Sequence, residues 1–183
     1  IFAECLQISK SKFDFLPRIE YTGFRKSSGG NRDAASIFSH QHRSIKDTAI
    51  ISLKASTDKS LSDCLISPDE KKQLVPVLAL YGANAAGKSN VLHALLLMRE
   101  MVCGRYAKLL KGEFLPQEPF AFLTSYTADQ LEAIYFYGGI KYAYGFSFDK
   151  SKVLTEYLYH WPNGESLDFS REGNGYQFRE NIQ

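Results

Sequence analysis

The sequence predicts an α/β protein in which a mixed sheet surrounds a glycine-rich loop and its helix, followed by an antiparallel β-meander. Three observations support this fold class. A nearly continuous apolar run, residues 74–81, is typical of a strand buried on both faces. Helical periodicity follows in residues 88–102. From about residue 132, apolar and small residues alternate with a period of two between Gly-, Asn- and Pro-containing turns.

Composition bounds the class of protein. The chain has 183 residues, of which 44% are hydrophobic and 14% aromatic, so it can bury a sizeable core and does not resemble a disordered chain. The net charge of +2 is too small to indicate nucleic-acid binding, although it leaves DNA open as a partner. No apolar run approaches the roughly 20 residues of a membrane-spanning helix. Without a secretory signal, and with three widely spaced cysteines (Cys5, Cys64 and Cys103), the chain is expected in the cytoplasm and away from membranes.

The first elements are short. Residues 1–35 form an N-terminal extension for which the pattern predicts no structure, and the polar stretch 25–33 is typical of a loop. Residues 37–41 and 48–54 are expected to be strands on either side of a polar turn. His40 and His42 are two apart, which on a strand could hold a metal, but surface histidines are favoured because no other ligands accompany them.

The central elements are predicted in more detail. Residues 74–81 form the buried strand, which begins at Val77 if Pro76 interrupts its hydrogen bonding. Residues 82–87 are a loop and 88–102 a helix. Its apolar face is expected to contain Leu92, Leu95, Leu96, Met98 and Val102, with His93 also facing the fold.

Four or five antiparallel strands complete the chain. They are predicted at residues 133–137, 140–149, 153–161, 167–170 and 176–178, because Gly, Asn and Pro separate the alternating segments. The aromatic series Tyr142, Tyr144, Phe146 and Phe148 is interpreted as sheet packing in preference to a base-stacking surface.

The loop carries the chemistry, because residues 82–89 satisfy the pattern G-x-x-x-x-G-K-[ST] between a predicted strand and helix. Free N–H groups at a helix start bind phosphate oxygens, and glycines let the backbone approach them. Lys88 supplies positive charge to the phosphates, and the Ser89 hydroxyl is the expected Mg²⁺ ligand. The candidate nucleotide-binding residues are Gly82, Ala83, Asn84, Ala85, Ala86, Gly87, Lys88, Ser89 and Asn90.

This loop, with the Val91-Leu92-His93-Ala94-Leu95 that follows, resembles the ATP-binding head of the SMC-like and OLD-like ATPases. These relatives of ABC ATPases act in DNA repair and bacterial anti-phage systems. Residues 38–47 resemble that family's first strand and Arg-Ser turn, although His42 replaces the usual aromatic residue. The likeness implies ATP as the nucleotide and places Arg43 and Ser44 near it. Residues 142–164 are similar to the β subdomain of abortive-infection and toxin-associated AAA-type ATPases, so the likeness covers about residues 36–180.

The resemblance also implies what should accompany the loop. Such heads dimerise around ATP, with a signature motif and an apolar strand ending in Asp-Glu. Neither follows Ser89: Asp149 ends a strand but precedes Lys150, and residues 27–31 match a signature poorly. We therefore expect residues 36–183 to be the N-terminal lobe of a head, with the P-loop part at 36–130 and the β part at 131–183. The C-terminal lobe would be absent, and turnover by this chain small or nil.

Several alternatives stay open. In the complete protein, ATP and Mg²⁺ would join heads into a homodimer or larger oligomer and gate an effector such as a nuclease or toxin. The alternative is a non-catalytic nucleotide-binding regulatory module. A small P-loop kinase or GTPase ranks third, because a meander follows the loop. Either Gln117 or Gln130 could be the family's Mg²⁺-sensing glutamine.

Overall fold

The computed structural model describes residues 36–40, 42–43, 45, 49–58, 60, 62–69, 72–84, 86–106, 113–120, 122 and 128–179. The predictions for residues 1–35, Ser44 and Ala85 lie outside them. The elements are β1 (Ser36–His40), β2 (Ala49–Ser52), a 3-10 turn (Ser62–Cys64), β3 (Ile66–Asp69), β4 (Lys72–Leu74), α1 (Lys88–Val102), β5 (Asp129–Tyr137), β6 (Ile140–Phe148), β7 (Val153–Trp161), β8 (Ser166–Glu172) and β9 (Gly175–Phe178).

The meander predicted in the last third of the chain is confirmed. Strands β5 to β9 form consecutive antiparallel pairs, and β1 adds to the free edge of β5, so the sheet has the order β1-β5-β6-β7-β8-β9. Gly138 and Gly139 join β5 to β6 with φ values of 57° and 77°. A two-residue turn with both residues left-handed matches the twist of the strands it connects, and glycine takes that conformation without strain. β5 begins at Asp129, four residues before the predicted start.

Helix α1 has the predicted bounds, and it packs on one face of the large sheet. Its buried side chains are Ala94, Leu97 and Met98, which join a core with Leu131, Ala133, Tyr135, Tyr144, Phe146 and Phe148. The burial of Tyr144, Phe146 and Phe148 confirms the packing interpretation of the aromatic series.

The predicted apolar face of α1 is partly wrong. Leu92 is 58% exposed and Leu96 44% exposed, and His93 is also exposed. The helix is apolar over more than half of its circumference, and the sheet covers only the side that carries Ala94 and Leu97. Periodicity alone does not choose between two apolar sides of one helix.

The buried strand predicted at residues 74–81 is also wrong in this structure. Strand β4 ends at Leu74, and the residues that follow have no regular structure up to the loop. Val77 is 73% exposed and Tyr81 92% exposed. A strand of this kind is buried only where strands pair with both of its edges, and no described strand pairs with residues 75–81.

A two-stranded sheet, β3-β4, lies against the opposite side of β5, where Leu74 and Ile66 pack on Phe136. The sheet around the loop helix was expected to be mixed, but every strand pair in the described ranges is antiparallel. A bilayer crossing would need a longer and more apolar helix than any among the described residues.

Candidate nucleotide-binding site

The glycine-rich loop ends in a backbone conformation that favours glycine. Gly87 is the residue before α1 and has φ 85° and ψ 4°, in the left-handed region. The amides of Asn90 and Val91 bond to its carbonyl at 3.0 and 3.3 Å, which starts the helix. Among the residues that the structure describes, no side chain caps this helix end. The positive end of the helix dipole at such an uncapped start favours an anion.

Lys88 folds back over the loop that precedes it. Its Nζ donates to the carbonyl oxygens of Gly82 at 2.8 Å and Ala83 at 2.6 Å. These bonds hold the ammonium group against the first residues of the loop, and both bonds are exposed to solvent. A cation held in this position can turn toward an anion that enters the loop, because it has three donor hydrogens on a flexible stem.

The donor set of this loop fits a phosphate chain with a divalent cation. Ser89 lies in the first turn of α1 and is exposed, so its hydroxyl is accessible as an oxygen ligand of the kind that Mg²⁺ prefers. Ala83, Asn84 and Ala86 are exposed, so no side chain of the fold covers the loop at those positions. The predicted loop residues are thus brought together, apart from Ala85, which is not described.

The predicted turn residue Arg43 lies three residues after the end of β1 and has an unusual conformation. Its φ is 55°, and no other non-glycine residue among those described has a positive φ. Its amide donates to the carbonyl of Glu118 at 2.6 Å, and its Nη2 donates to Glu118 Oε1 at 2.7 Å. Its Nε is buried and has no hydrogen-bond partner among the residues that the structure describes. The Arg43 side chain as a whole is 29% exposed.

His42 departs from the prediction of a surface histidine, which is wrong. The residue is 2% exposed, and its Nδ1 lies 2.6 Å from Oδ2 of Asp129, which is fully buried. The side chain of His40 is not described. Asp129 and Glu118 were not predicted as site residues, because 87 and 75 positions separate them from their partners and no spacing rule links such distant positions.

The two candidate glutamines lie in different places. Gln117 is 6% exposed in the loop beside Glu118, and its backbone N–H donates to the Leu115 carbonyl oxygen at 2.7 Å. Gln130 lies on β5 opposite Ser147 of β6. Gln117 is thus next in the chain to the residue that holds Arg43, and its role as a Mg²⁺ sensor stays a prediction.

Asp149 has a structural role in the turn after β6. Its Oδ1 accepts hydrogen bonds from the amides of Ser151 and Lys152 at 2.6 and 2.8 Å and from the Ser151 hydroxyl at 2.6 Å. Desolvation raises the pKa of Asp149, but the bonds from Ser151 and Lys152 outweigh it and hold that pKa below its ordinary value. A carboxylate whose Oδ1 accepts three hydrogen bonds in this way stabilises a turn.

Comparison with known families gives a match that spans the loop. A family model described as "AAA domain, putative AbiEii toxin, Type IV TA system" matches residues 77–175, which is more than half of the chain. The match takes in the loop, α1 and strands β5 to β8, and it begins after the Arg43 turn. No curated protein shows a significant match to the chain. The chain therefore belongs to this family of AAA-type P-loop ATPase domains, which is related to abortive-infection systems.

Proposed function

We propose that this chain is the nucleotide-binding lobe of an ATPase and that residues 82–90 bind the phosphates of ATP together with Mg²⁺. One observation carries this proposal. Lys88 closes the loop over the Gly82 and Ala83 carbonyls, at the uncapped start of α1. A glycine-rich loop at a helix N-terminus with a lysine held against its backbone is suited to a polyphosphate. The family match supports nucleotide binding at the level of the whole domain.

Each group has a proposed role. Lys88 exchanges its carbonyl contacts for phosphate oxygens, and the amides at the start of α1 donate to the same phosphates. The Ser89 hydroxyl would be a ligand of Mg²⁺, and a bound Mg²⁺ neutralises phosphate charge. Arg43, with Ser44 beside it, would supply a further donor to the nucleotide. The support for Arg43 is its left-handed turn and the partial exposure of its side chain.

We further propose that the complete protein dimerises or forms a larger oligomer through such heads. ATP-dependent association would then gate an effector, such as a nuclease or toxin, in anti-phage defence or DNA repair. The support is the resemblance of residues 36–180 to SMC-like and OLD-like heads, together with the toxin–antitoxin description of the matching family. That description agrees with a toxin-linked effector and does not favour a DNA partner over a protein partner.

A second candidate function, a non-catalytic nucleotide-binding regulatory module, is favoured by the carboxylates. Asp149, which ends β6, is engaged by Ser151 and Lys152 in its turn. Asp129 is buried against His42. Activation of an attacking water needs a carboxylate or amide with access to it. Asp129 is fully buried, and one oxygen of Asp149 is already engaged in its turn. On this account, nucleotide binding would order the lobe for a partner without hydrolysis.

The test is calorimetry of Mg²⁺-ATP binding to the chain and to Lys88→Ala, with turnover assayed on the same samples. Loss of Lys88 should weaken binding by about 1.5–3 kcal/mol, the range of a charge-assisted hydrogen bond. Lys150→Ala is the matched control, since Lys150 is an exposed lysine on the β6–β7 turn, and it should bind as the unmodified chain does. Equal binding by the chain and Lys88→Ala would contradict the proposal. Robust turnover that needs Lys88 would contradict the non-catalytic alternative.

A further inference from the structure

A buried His–Asp pair lies immediately beside the Arg43 turn. His42 is 2% exposed and Asp129 0% exposed, and the Nδ1 and Oδ2 atoms that join them are 2.6 Å apart. Asp129 begins β5, which pairs with β1, the strand that leads into His42. The second carboxylate oxygen of Asp129 has no hydrogen-bond partner among the described residues. The His42 ring is therefore the polar contact that the structure gives to this buried carboxylate.

The turn that follows His42 holds a strained residue. A left-handed conformation is unfavourable for a residue with a Cβ, and it persists only where the surroundings hold it in place. At Arg43, these restraints include the bond from its amide to the Glu118 carbonyl at 2.6 Å and the bond from the Ile45 amide to the His42 carbonyl at 2.9 Å. An isolated β-bridge between His42 and Pro119 adds a backbone contact. Both sides of the turn therefore depend on where His42 lies.

The His–Asp pair costs more to bury than an apolar pair of similar size, so its presence needs a reason. Taking a carboxylate out of water is unfavourable unless its partner is well placed, and in some proteins a buried polar pair fixes a geometry while adding little stability. The hydrogen bond from His42 to Asp129 restricts the orientation of the imidazole ring, because the ring turns about only two side-chain torsions. It fixes the His42 ring, and with it the peptide that enters Arg43.

We propose that His42 and Asp129 are positioning residues that hold Arg43 in its left-handed turn, so that the guanidinium group is preorganised for an anionic ligand. This inference rests on the proposed nucleotide-binding function. Neither residue touches the nucleotide in this account, and the effect passes through Arg43. The salt bridge from Arg43 to Glu118 at 2.7 Å holds the guanidinium group. The His–Asp pair fixes the backbone from which the Arg43 side chain extends.

The test is a set of Mg²⁺-ATP dissociation constants measured on the full chain by calorimetry. Arg43→Ala should weaken binding by about tenfold or more, as expected for a charge-assisted bond. His42→Phe, which removes the donor and keeps a ring, should weaken binding by about fivefold or more, up to the loss seen with Arg43→Ala. His42→Asn retains a donor near the position of Nδ1 and should bind within about twofold of the unmodified chain.

The decisive variant is His42→Phe combined with Arg43→Ala. If His42 acts through Arg43, the double variant binds no more weakly than Arg43→Ala alone. Additive losses would show that His42 affects the site by some other route and would overturn the inference. Because His42→Phe leaves Asp129 buried and unpaired, His42→Phe/Asp129→Leu is the folded reference. It should regain the thermal stability lost in His42→Phe while its affinity stays low, and regained affinity would also overturn the inference.

A second His–Asp pair provides the matched control. His160 Nδ1 lies 3.0 Å from Asp168 Oδ2 between β7 and β8, away from the Arg43 turn in the chain. His160→Phe should leave the dissociation constant unchanged. The same measurements separate the two proposals, since equal binding by the chain and Lys88→Ala contradicts nucleotide binding at the loop. Binding that needs Lys88 but is indifferent to Arg43 and His42 overturns only the positioning role.

Discussion

Tyr144 carries a polar contact within the core that lies between α1 and the sheet. It is 9% exposed, and its hydroxyl donates to Glu156 Oε1 at 2.7 Å. Arg171 Nη1 lies 3.8 Å from the other oxygen of Glu156. Burial raises the pKa of Tyr144, and the charge and hydrogen bond of Glu156 raise it further. The fold therefore holds this phenol in its protonated form.

This contact predicts a loss of stability at alkaline pH. Below the ordinary tyrosine pKa of 10.0, folded and unfolded chains both keep the proton, so the contribution is complete. As pH rises above that value, the unfolded chain loses its proton first, and the free energy of unfolding falls by about 1.4 kcal/mol per pH unit. Tyr144→Phe should lose less stability between pH 9 and 11 than the unmodified chain, in urea titrations at each pH.

The control for this prediction is Tyr137→Phe, since Tyr137 is 46% exposed at the end of β5. At neutral pH, Tyr144→Phe should cost about 1–2 kcal/mol, because Glu156 loses a hydrogen bond. A slope of stability against pH that is the same in Tyr144→Phe and the unmodified chain would contradict the assignment.

The sequence predicts the roles of the loop residues, but it does not predict the side-chain partners at the Arg43 turn. The roles of Gly87 and Lys88 follow from a pattern of eight consecutive positions, because local backbone geometry and helix ends determine what such a loop can do. The pairing of His42 with Asp129 depends on β1 joining β5 across 87 positions. Side-chain partners brought together by strand pairing leave no local signal, and a histidine pattern alone favoured a surface position.

At the scale of elements, a tyrosine side chain on β7 crosses a glycine on β6 and contacts a carboxyl group on β5. Glu132 of β5, Gly145 of β6 and Tyr157 of β7 are in register. The Tyr157 ring lies over Gly145, and its hydroxyl donates to Glu132, which is 3% exposed. A Cβ added at Gly145 would lie 2.5 Å from Tyr157 Cζ. The glycine is therefore needed for a close approach, and its backbone needs no unusual φ.

Gly145→Ala should destabilise the sheet by about 1–3 kcal/mol, because the Tyr157 ring must move and its hydroxyl then loses the buried carboxyl group. Urea unfolding of the variant measures this cost. In a Tyr157→Ala background, the same substitution should cost much less, since the atoms that clash are gone. If Gly145→Ala costs as much with Tyr157 absent as with it present, the close approach does not explain the glycine.

Element by element, the sequence predicted the meander and α1 well and the strand before the loop wrongly. The meander strands pair with their neighbours in the chain, so alternation and turn residues are sufficient to locate them. Residues 75–81 have the apolar content of a buried strand, but Val77 and Tyr81 are exposed here. Apolar content indicates that a segment suits burial, whereas burial itself needs partner strands that a local pattern does not contain.

At the scale of the whole molecule, the helix that follows the glycine-rich loop shares one core with the sheet. α1 begins at Lys88, and its side chains Ala94, Leu97 and Met98 pack against the sheet. Trp161, the single tryptophan of the chain, lies on β7 with Lys141 Nζ 3.9 Å from its ring centroid. Since α1 connects the loop to this sheet through buried side chains, ordering the loop should stabilise the sheet as well.

Mg²⁺-ATP is therefore expected to raise the unfolding temperature reported by Trp161 fluorescence and by far-ultraviolet circular dichroism to the same extent. At about 50 times the dissociation constant, binding should add about 2.3 kcal/mol, which is about 5–9 °C for a chain of this size. Lys88→Ala at the same nucleotide concentration should show a smaller shift by both probes. If the dichroism transition moved while that of Trp161 stayed in place, the loop helix and the sheet would unfold as separate units. Equal shifts would mean that the loop helix and the sheet, as far as β7, unfold as one cooperative unit that the nucleotide stabilises.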